Sequence, residues 1–399
     1  MAVQVTASPR PLGPGGSRGP QGGPGDPGKP PKRPRTPLWT KLLTAAGIVL
    51  VMVSVGGIVS VKYFLGQLTD NIQTTSSVLG DTAVGGKVTG KLPDGAMNIL
   101  MLGLDTRAGW EARGDLSRSD TMLILHISAS HDQAYMISIP RDMIADIPAD
   151  KTIGFNGSRE KINSAYAYGS KDGRGWTGGA KLATKTVNQL TGIKFDGVVV
   201  IDFDGFKGIL EAMGGVHMCV DKDMWSSHYT VDSKGKVSYA KGADPTSPPR
   251  NALWFRKGCR NMAPWEALEF SRLRHSTNGD YDRQRHQQQL LRAMAKKASS
   301  AGIISNPSKV KHILTAAGSS LKMDTHGVDV SDFVFGLKGL AAADLVPIKT
   351  NNGSFLNVGG GEGASPVTKE LFSAAAADKM GDFLIGHPEL IISDGAKAS

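Results

Sequence analysis

Met97-Asn98-Ile99-Leu100-Met101-Leu102-Gly103-Leu104-Asp105 is a near-continuous apolar run that ends on a carboxylate. Such a run predicts a strand buried on both faces, of the kind found at the centre of a layered sheet. Asp105 then falls just past the strand's C-terminal end, where open α/β sheets place their ligands. Outward from this strand, Thr121–Ser128 and Ala134–Ile139 read as two more, with residues 129–133 as a hairpin turn between them. Gly197–Asp202 is a further apolar, β-branched run, Val216–Val220 continues as a strand, and Leu345–Ile348 is a candidate strand. Helical patterns occupy Lys161–Gly169, Gly178–Leu190, Phe203–Met213, Pro264–Phe270 and Asp282–Lys297, the third stopped by Gly214-Gly215. Asn306-Pro307 and Ser365-Pro366 each match an N-cap followed by proline at the first helical position. Strands alternating with helices predict an α/β fold, a central sheet flanked by helices in α-β-α layers.

The ends of the chain differ from this body. Residues 1–41 are rich in Gly and Pro and nearly free of large apolar side chains, which predicts a disordered tail. Leu42–Val61 is a charge-free run of 20 residues between Lys41 and Lys62. A helix of that length rises about 30 Å and spans a bilayer core; a buried helix or a cleaved signal peptide are the alternatives. Positive residues favour the cytoplasmic side, so the expected topology has the N-terminus inside and the rest outside. The tail carries Arg10, Arg18, Lys29, Lys32, Arg33, Arg35 and Lys41 against Asp26, so +6 of the net +10 lies there. The folded part is therefore only mildly basic, which with no basic recognition helix argues against nucleic acid as a partner. The expected organisation is a stalk over 62–95, a main domain over 96–300, and a C-terminal part over 301–399 that completes the domain or extends it.

The two cysteines, Cys219 and Cys259, would both lie outside the membrane. An oxidising exterior predicts a disulfide between them, with two free buried thiols as the alternative. It would close off residues 221–260, which read as a long polar excursion rich in Gly, Pro and Ser.

Short motifs bearing arginine or aspartate recur in order between residues 98 and 287. They are Asn98–Arg107, Arg118-Ser119-Asp120, Ser138-Ile139-Pro140-Arg141-Asp142, Lys161-Ile162-Asn163, Arg272-Leu273-Arg274 and Asp280–Gln287. No Ser, Cys or His constellation for nucleophilic catalysis accompanies them. Alternation in extended chain predicts that Arg118 and Asp120 share a side, as do Arg272 and Arg274. Pro140 ends ladder pairing and would release Arg141 at the sheet's mouth. Arg283, His286, Gln287 and Leu290 fall on one helical face. Clustered guanidinium groups suit phosphate oxygens, and paired carboxylates suit a magnesium ion. Local surface ion pairs between each Asp and Arg are the alternative.

The order and wording of these motifs resemble the LytR-CpsA-Psr family, phosphotransferases that attach glycopolymers to the Gram-positive cell wall. The resemblance covers residues 97 to about 295 and implies roles by motif position. Asp105 and Asp120 match the metal positions, with Mg2+, or Mn2+ in its place, as cofactor. Arg118, Arg141, Arg272, Arg274 and Arg283 match arginines that grip a pyrophosphate, with Lys161 and Gln287 as further contacts. Asp120, Arg118 and Arg141 form the implied catalytic core, and Asp120 or Asp142 is the expected proton acceptor. Apolar residues around Val198–Ile201 are candidates for lining a polyprenyl tunnel. One departure stands out: many members carry an arginine where this chain has His286, with Arg285 beside it.

The implied activity is magnesium-dependent transfer of a glycopolymer from polyprenyl pyrophosphate to peptidoglycan at the membrane, with pyrophosphatase action as a side reaction. A polyprenyl-phosphate or wall-polymer binding protein without turnover is the alternative.

Overall fold

The computed structural model describes residues 72–84, 95–106, 117–240, 247–274, 278–330, 332–333 and 344–392. The expected tail and membrane span lie outside these residues, as do part of the stalk and Arg107. No helix among the described residues is long and apolar enough to cross a membrane.

The apolar run that ends at Asp105 is β2 (Met97–Leu104), the middle strand of a seven-stranded mixed sheet. Its companions are β1 (Gln73–Thr75), β3 (Ser119–Ile127), β4 (Gln133–Ile139), β7 (Gly197–Asp202), β13 (Leu321–Asp324) and β14 (Asp344–Ile348), in the order β1-β13-β7-β2-β3-β4-β14. β2 runs antiparallel to β3 and parallel to β7. Two strands from beyond residue 300 thus belong to the sheet, β14 at its edge beside β4 and β13 beside β7.

Side chains alternate across β2 because the strand period is two. Leu100, Leu102 and Leu104 pack with Val198 and Val200 beneath α1 (Ser164–Ser170), α2 (Gly175–Thr191) and α7 (Pro366–Ala376). Ile99 and Leu123 face the other way, towards α3 (Phe203–Met213), α5 (Asp280–Ser300) and α6 (Pro307–Ala317). This is the expected helix–sheet–helix layering. α3 matches its predicted span, and Gly214 ends it in the left-handed conformation at φ 70°. Asn306 and Ser365 both cap their helices through side-chain oxygens, as their position before proline implied.

Two expectations need correction. Lys161 does not begin a helix: β5 (Ile144–Ile147) pairs antiparallel with β6 (Ser158–Lys161), and helix starts only at Ser164. Residues 221–260 are not a plain loop. They form β9 (Met224–Val231), β10 (Val237–Tyr239) and β11 (Ala252–Phe255) in a small antiparallel sheet. Trp225, Tyr229, Trp254 and Phe255 favour pleated structure, and that preference outweighs the polar residues around them. β8 (Val216–Val220) pairs with β12 (Gly258–Met262), setting Cys219 directly opposite Cys259. The two form a disulfide at 2.04 Å. With α4 (Pro264–Phe270) this region makes a third apolar cluster, holding Met218, Phe255 and Phe270.

α5 binds these parts together. Gln288, buried in mid-helix, lies within hydrogen-bond distance of Met136 O (3.1 Å), Ser138 Oγ (2.8 Å) and Ile348 O (3.0 Å). The next residue, Gln289, donates to Cys219 O at 2.7 Å.

The disulfide spans 40 residues. Closing such a loop restricts the unfolded chain and stabilises by about 4 kcal/mol. A Cys219→Ser, Cys259→Ser double variant is expected to unfold at lower denaturant by up to that amount, read by urea titration. An unchanged midpoint would show that the β8–β12 ladder holds without the bond.

Candidate active site

A cavity of about 390 Å³ opens between the C-terminal end of β2 and helices α3, α4 and α5. Its floor is the second face of the sheet, with Met101, Gly103, Leu123 and Ile201, and Phe203, Phe206, Leu268 and Leu290 wall it. Gly103 stands opposite Thr121, and a Cβ there would come within 2.9 Å of the threonine Cβ. The glycine thus lets the strands close at the mouth.

Asp120 owes its position to a register shift. Gly103 pairs with Thr121 and Leu104 with Ser119, so Asp120 has no opposite residue on β2. A bulge of this kind re-aims a side chain out of the ladder. The Asp120 carboxylate receives Arg141 Nη1 at 2.7 Å, and its backbone carbonyl receives Arg283 Nη2 at 3.0 Å. Arg283 is buried, and its Nε and Nη2 reach Asp280 Oδ1 at 2.8 and 2.7 Å. Arg141 Nε stands 3.7 Å from the same oxygen and 3.8 Å from Asp142 Oδ2. Lys161 Nζ closes the chain on Asp142 Oδ1 at 2.9 Å. Cations and carboxylates alternate from Lys161 to Arg283, which is how a dense charge cluster avoids self-repulsion.

The electrostatics fit that arrangement. Burial alone would raise Asp280, but Arg283, Gln284 and Arg141 outweigh it and hold the carboxyl below its usual range. Arg274 has a largely exposed surface, yet its guanidinium packs into the cluster. Burial, then repulsion from Arg283 and Arg141, pushes it down to about 10. Asp280 and Asp120 pull the other way without offsetting burial and the two neighbouring arginines.

Asp105, Asp120, Arg272, Arg274, Arg283 and Gln287 all line the cavity. Asp105 is exposed and forms no ion pair or side-chain hydrogen bond among the described residues. Gln287 donates to Thr121 Oγ1 at 3.0 Å. Arg272 and Arg274 reach the cavity from a turn after α4, not from extended chain: Arg272 N donates to Glu269 O. Arg141 and Lys161 are outside the lining but join it through Asp120 and Asp142.

Arg118 does not share the pocket with Asp120. It precedes β3, is exposed and is absent from the lining. The bulge at Asp120 breaks the alternation that would have paired them. Its charge acts instead on Tyr168, whose hydroxyl Glu160 and burial push upward. Asn163 is buried, caps nothing and leaves Oδ1 without a hydrogen bond. Of the candidate tunnel residues only Ile201 lines the cavity, while Val198 and Val200 are buried on the opposite face.

His286 and Arg285 also turn away. His286 stacks on Phe270 at 4.2 Å between centroids, and Arg285 Nη2 pairs with Asp221 at 2.9 Å and Asp282 at 3.2 Å. Neither lines the cavity. Asp280, Phe203, Phe206, His228 and Glu269 had no role in the motif reading. Asp280 and Glu269 left a local signal, their i, i+3 spacing to Arg283 and Arg272.

The sequence matches the LytR_cpsA_psr family over residues 59–355. The chain belongs to that family. It is 30% identical over 226 residues to the polyisoprenyl-teichoic acid–peptidoglycan teichoic acid transferase TagV of Bacillus subtilis, a match over 56% of this chain and 49% of that one. To TagU of Oceanobacillus iheyensis, which bears the same transferase name, it is 28% identical over 72% of this chain and 77% of the relative. The chain thus spans about half the length of TagV and about three quarters of that TagU. The crystal structure of protein gbs0355 from Streptococcus agalactiae shares the fold, with a TM-score of 0.54 at 20% identity over 71% of this chain and 88% of that one.

Two buried histidines tie stability to pH. Burial lowers His126, against the pull of Asp378, and lowers His286, against the pull of Asp221. Both rings are neutral when folded and protonate more readily when unfolded. Their contribution is therefore full above the ordinary value of 6.5 and lost as pH falls below it. Thermal melting from about pH 8 to about pH 5 should show this decline, and His286→Gln should flatten it. An equal slope in the variant would assign the decline elsewhere.

Proposed function

We propose that this protein is a membrane-anchored phosphotransferase that moves a glycopolymer from polyprenyl pyrophosphate to a hydroxyl of peptidoglycan. The observation that carries the reading is the charge cluster of Arg141, Asp120, Asp280 and Arg283 at the mouth of an apolar-walled cavity. A polyprenyl pyrophosphate has the matching shape, a doubly charged head on a hydrocarbon chain. Guanidinium groups take phosphate oxygens in paired hydrogen bonds, and the apolar wall accepts the first isoprene units. The names of the relatives TagV and TagU describe the same class of transfer.

In this reaction the acceptor hydroxyl attacks the phosphorus that bears the glycopolymer. The bond to the bridging oxygen breaks, and polyprenyl phosphate leaves with the electron pair. Water in place of the hydroxyl gives hydrolysis, the side reaction. Arg272, Arg274 and Arg283 bind and orient the pyrophosphate, stabilising the charge that develops on its oxygens.

A magnesium ion fits the donor set. Asp105 is uncommitted among the described residues, and Asp120 gives one oxygen to Arg141 and keeps the other. These hard carboxylate oxygens, completed by phosphate and water, are what Mg2+ prefers. When bound, the ion would neutralise charge on the phosphoryl oxygens.

The charge-free run at residues 42–61, read as a membrane span with its basic flank in the cytoplasm, supports this location. The Cys219–Cys259 disulfide supports an external catalytic domain.

The test uses the full chain in detergent micelles with a polyprenyl-pyrophosphate-linked glycopolymer and peptidoglycan, following release of polyprenyl phosphate. Turnover should need Mg2+, stop with EDTA, and fall by about 100-fold or more in Arg141→Ala and Asp120→Ala. Tight donor binding without turnover, with acceptor supplied, would make the protein a lipid-phosphate binder instead.

A further inference from the structure

The small sheet over residues 224–255 brings a histidine to the cavity wall that none of the Arg/Asp motifs contains. His228, on β9, lines the cavity beside Ser227. Behind it lies Glu269 of α4, only 2% exposed. His228 Nδ1 stands 2.9 Å from Glu269 Oε1 and 3.2 Å from Oε2. An ionised carboxylate only accepts hydrogen bonds, so Nδ1 carries the proton and Nε2 presents its lone pair. Nε2 has no partner among the described residues, and the imidazole is 30% exposed.

The pair is held on every side. Ser226 Oγ donates to Glu269 Oε1 and accepts the backbone N–H groups of His228 at 3.0 Å and Tyr229 at 2.9 Å. Arg272 Nη1 lies 3.7 Å from Glu269 Oε2, and its guanidinium stacks 4.7 Å above the Phe203 ring. One buried carboxylate therefore sets both His228 and a cavity arginine. The charged and titratable groups around the imidazole are Glu269 and Arg272, with Tyr229 next along β9 and Lys207 of α3 beyond it. The remaining α3 side chains at the cavity, Phe203 and Phe206, are apolar.

The carboxylates that the motifs suggested as proton acceptors each hold a cation through one oxygen. Asp120 holds Arg141 at 2.7 Å and Asp142 holds Lys161 at 2.9 Å. His228 lines the cavity and has no such cation, and with Nδ1 on Glu269 its Nε2 is uncommitted among the described residues.

We propose that His228, oriented by Glu269, is the proton acceptor for the attacking hydroxyl, an inference that rests on the transferase reading above. The hydroxyl oxygen bonds to the phosphorus bearing the glycopolymer, and its proton passes to His228 Nε2. The bond to the bridging oxygen breaks, and its electron pair leaves on polyprenyl phosphate. Ser226 and Glu269 are positioning residues in this scheme.

The test measures kcat and donor KM against pH for the full chain in micelles, in wild type, His228→Gln, His228→Ala and Glu269→Gln. His228→Gln should lower kcat by about 100-fold or more with donor KM unchanged, and should abolish the rising limb of the pH profile. Imidazole added to His228→Ala should restore turnover, which requires a folded site. Glu269→Gln should show a smaller loss in kcat. Undiminished kcat or an unaltered rising limb in His228→Gln would overturn the proposal while leaving the transferase reading intact. Loss of activity with raised donor KM and no imidazole rescue would overturn it as well, by giving His228 a structural part only. A wild type that binds donor without turning over would overturn the transferase reading and this inference with it.

Discussion

Asp120 is the point on which the site depends. The bulge leaves it unpaired on β2, so its side chain and its carbonyl are both free to serve other elements. Arg141, released from β4 after Pro140, takes the carboxylate, and Arg283 from α5 takes the carbonyl. Two other elements therefore converge on this one residue of β3. Both arginines then meet again at Asp280, which closes the cluster from the helix side. Without a bulge, strand alternation would place Asp120 and Thr121 on opposite faces. The bulge lets both line the same cavity.

The cavity has its own origin. Central strands of a covered sheet normally bury both faces. Here Leu100 and Leu102 are fully buried, but Met101 and Gly103, on the other face of β2, are only half-buried. Leaving apolar surface uncovered costs roughly 25 cal/mol for each Å². A fold that keeps this space beside a charge cluster forgoes stability at that place. An amphipathic ligand with an apolar tail would recover the loss on binding.

Much of this was legible in the chain. Regions with strong periodicity read well: β2, β7 and α3 stand at their predicted bounds, because apolar runs and a glycine stop are local signals. The motif residues that converge were visible as residue types. What escaped needed tertiary information. Alternation pairs Arg118 with Asp120 unless a bulge interrupts it, and a bulge is a property of two strands. Residues 221–260 looked like loop because turn residues dominate their composition, while the pairing of β9 with β11 and of Cys219 with Cys259 is long-range. Glu269 and His228 are 41 residues apart in sequence, so no spacing rule could have joined them.

α5 explains why the departure at residue 286 leaves the cavity lining intact. Successive residues on a helix point about 100° apart, so neighbours serve different surroundings. Arg283, Gln287, Leu290 and Leu291 face the cavity. Gln288 faces the sheet, and Arg285 and Gln289 face the disulfide hairpin with Asp221 and Cys219. His286 falls between the cavity face and the hairpin face, against Phe270 and fully buried. An arginine there would enter an apolar contact with Asp221 as its nearest counter-charge, and Arg285 already pairs with that carboxylate. A neutral, flat imidazole suits that slot better than a third cation would. The residue preceding Gln287 therefore answers to the packing of α4 against α5, and the cavity's positive charge is set by Arg272, Arg274 and Arg283 without it.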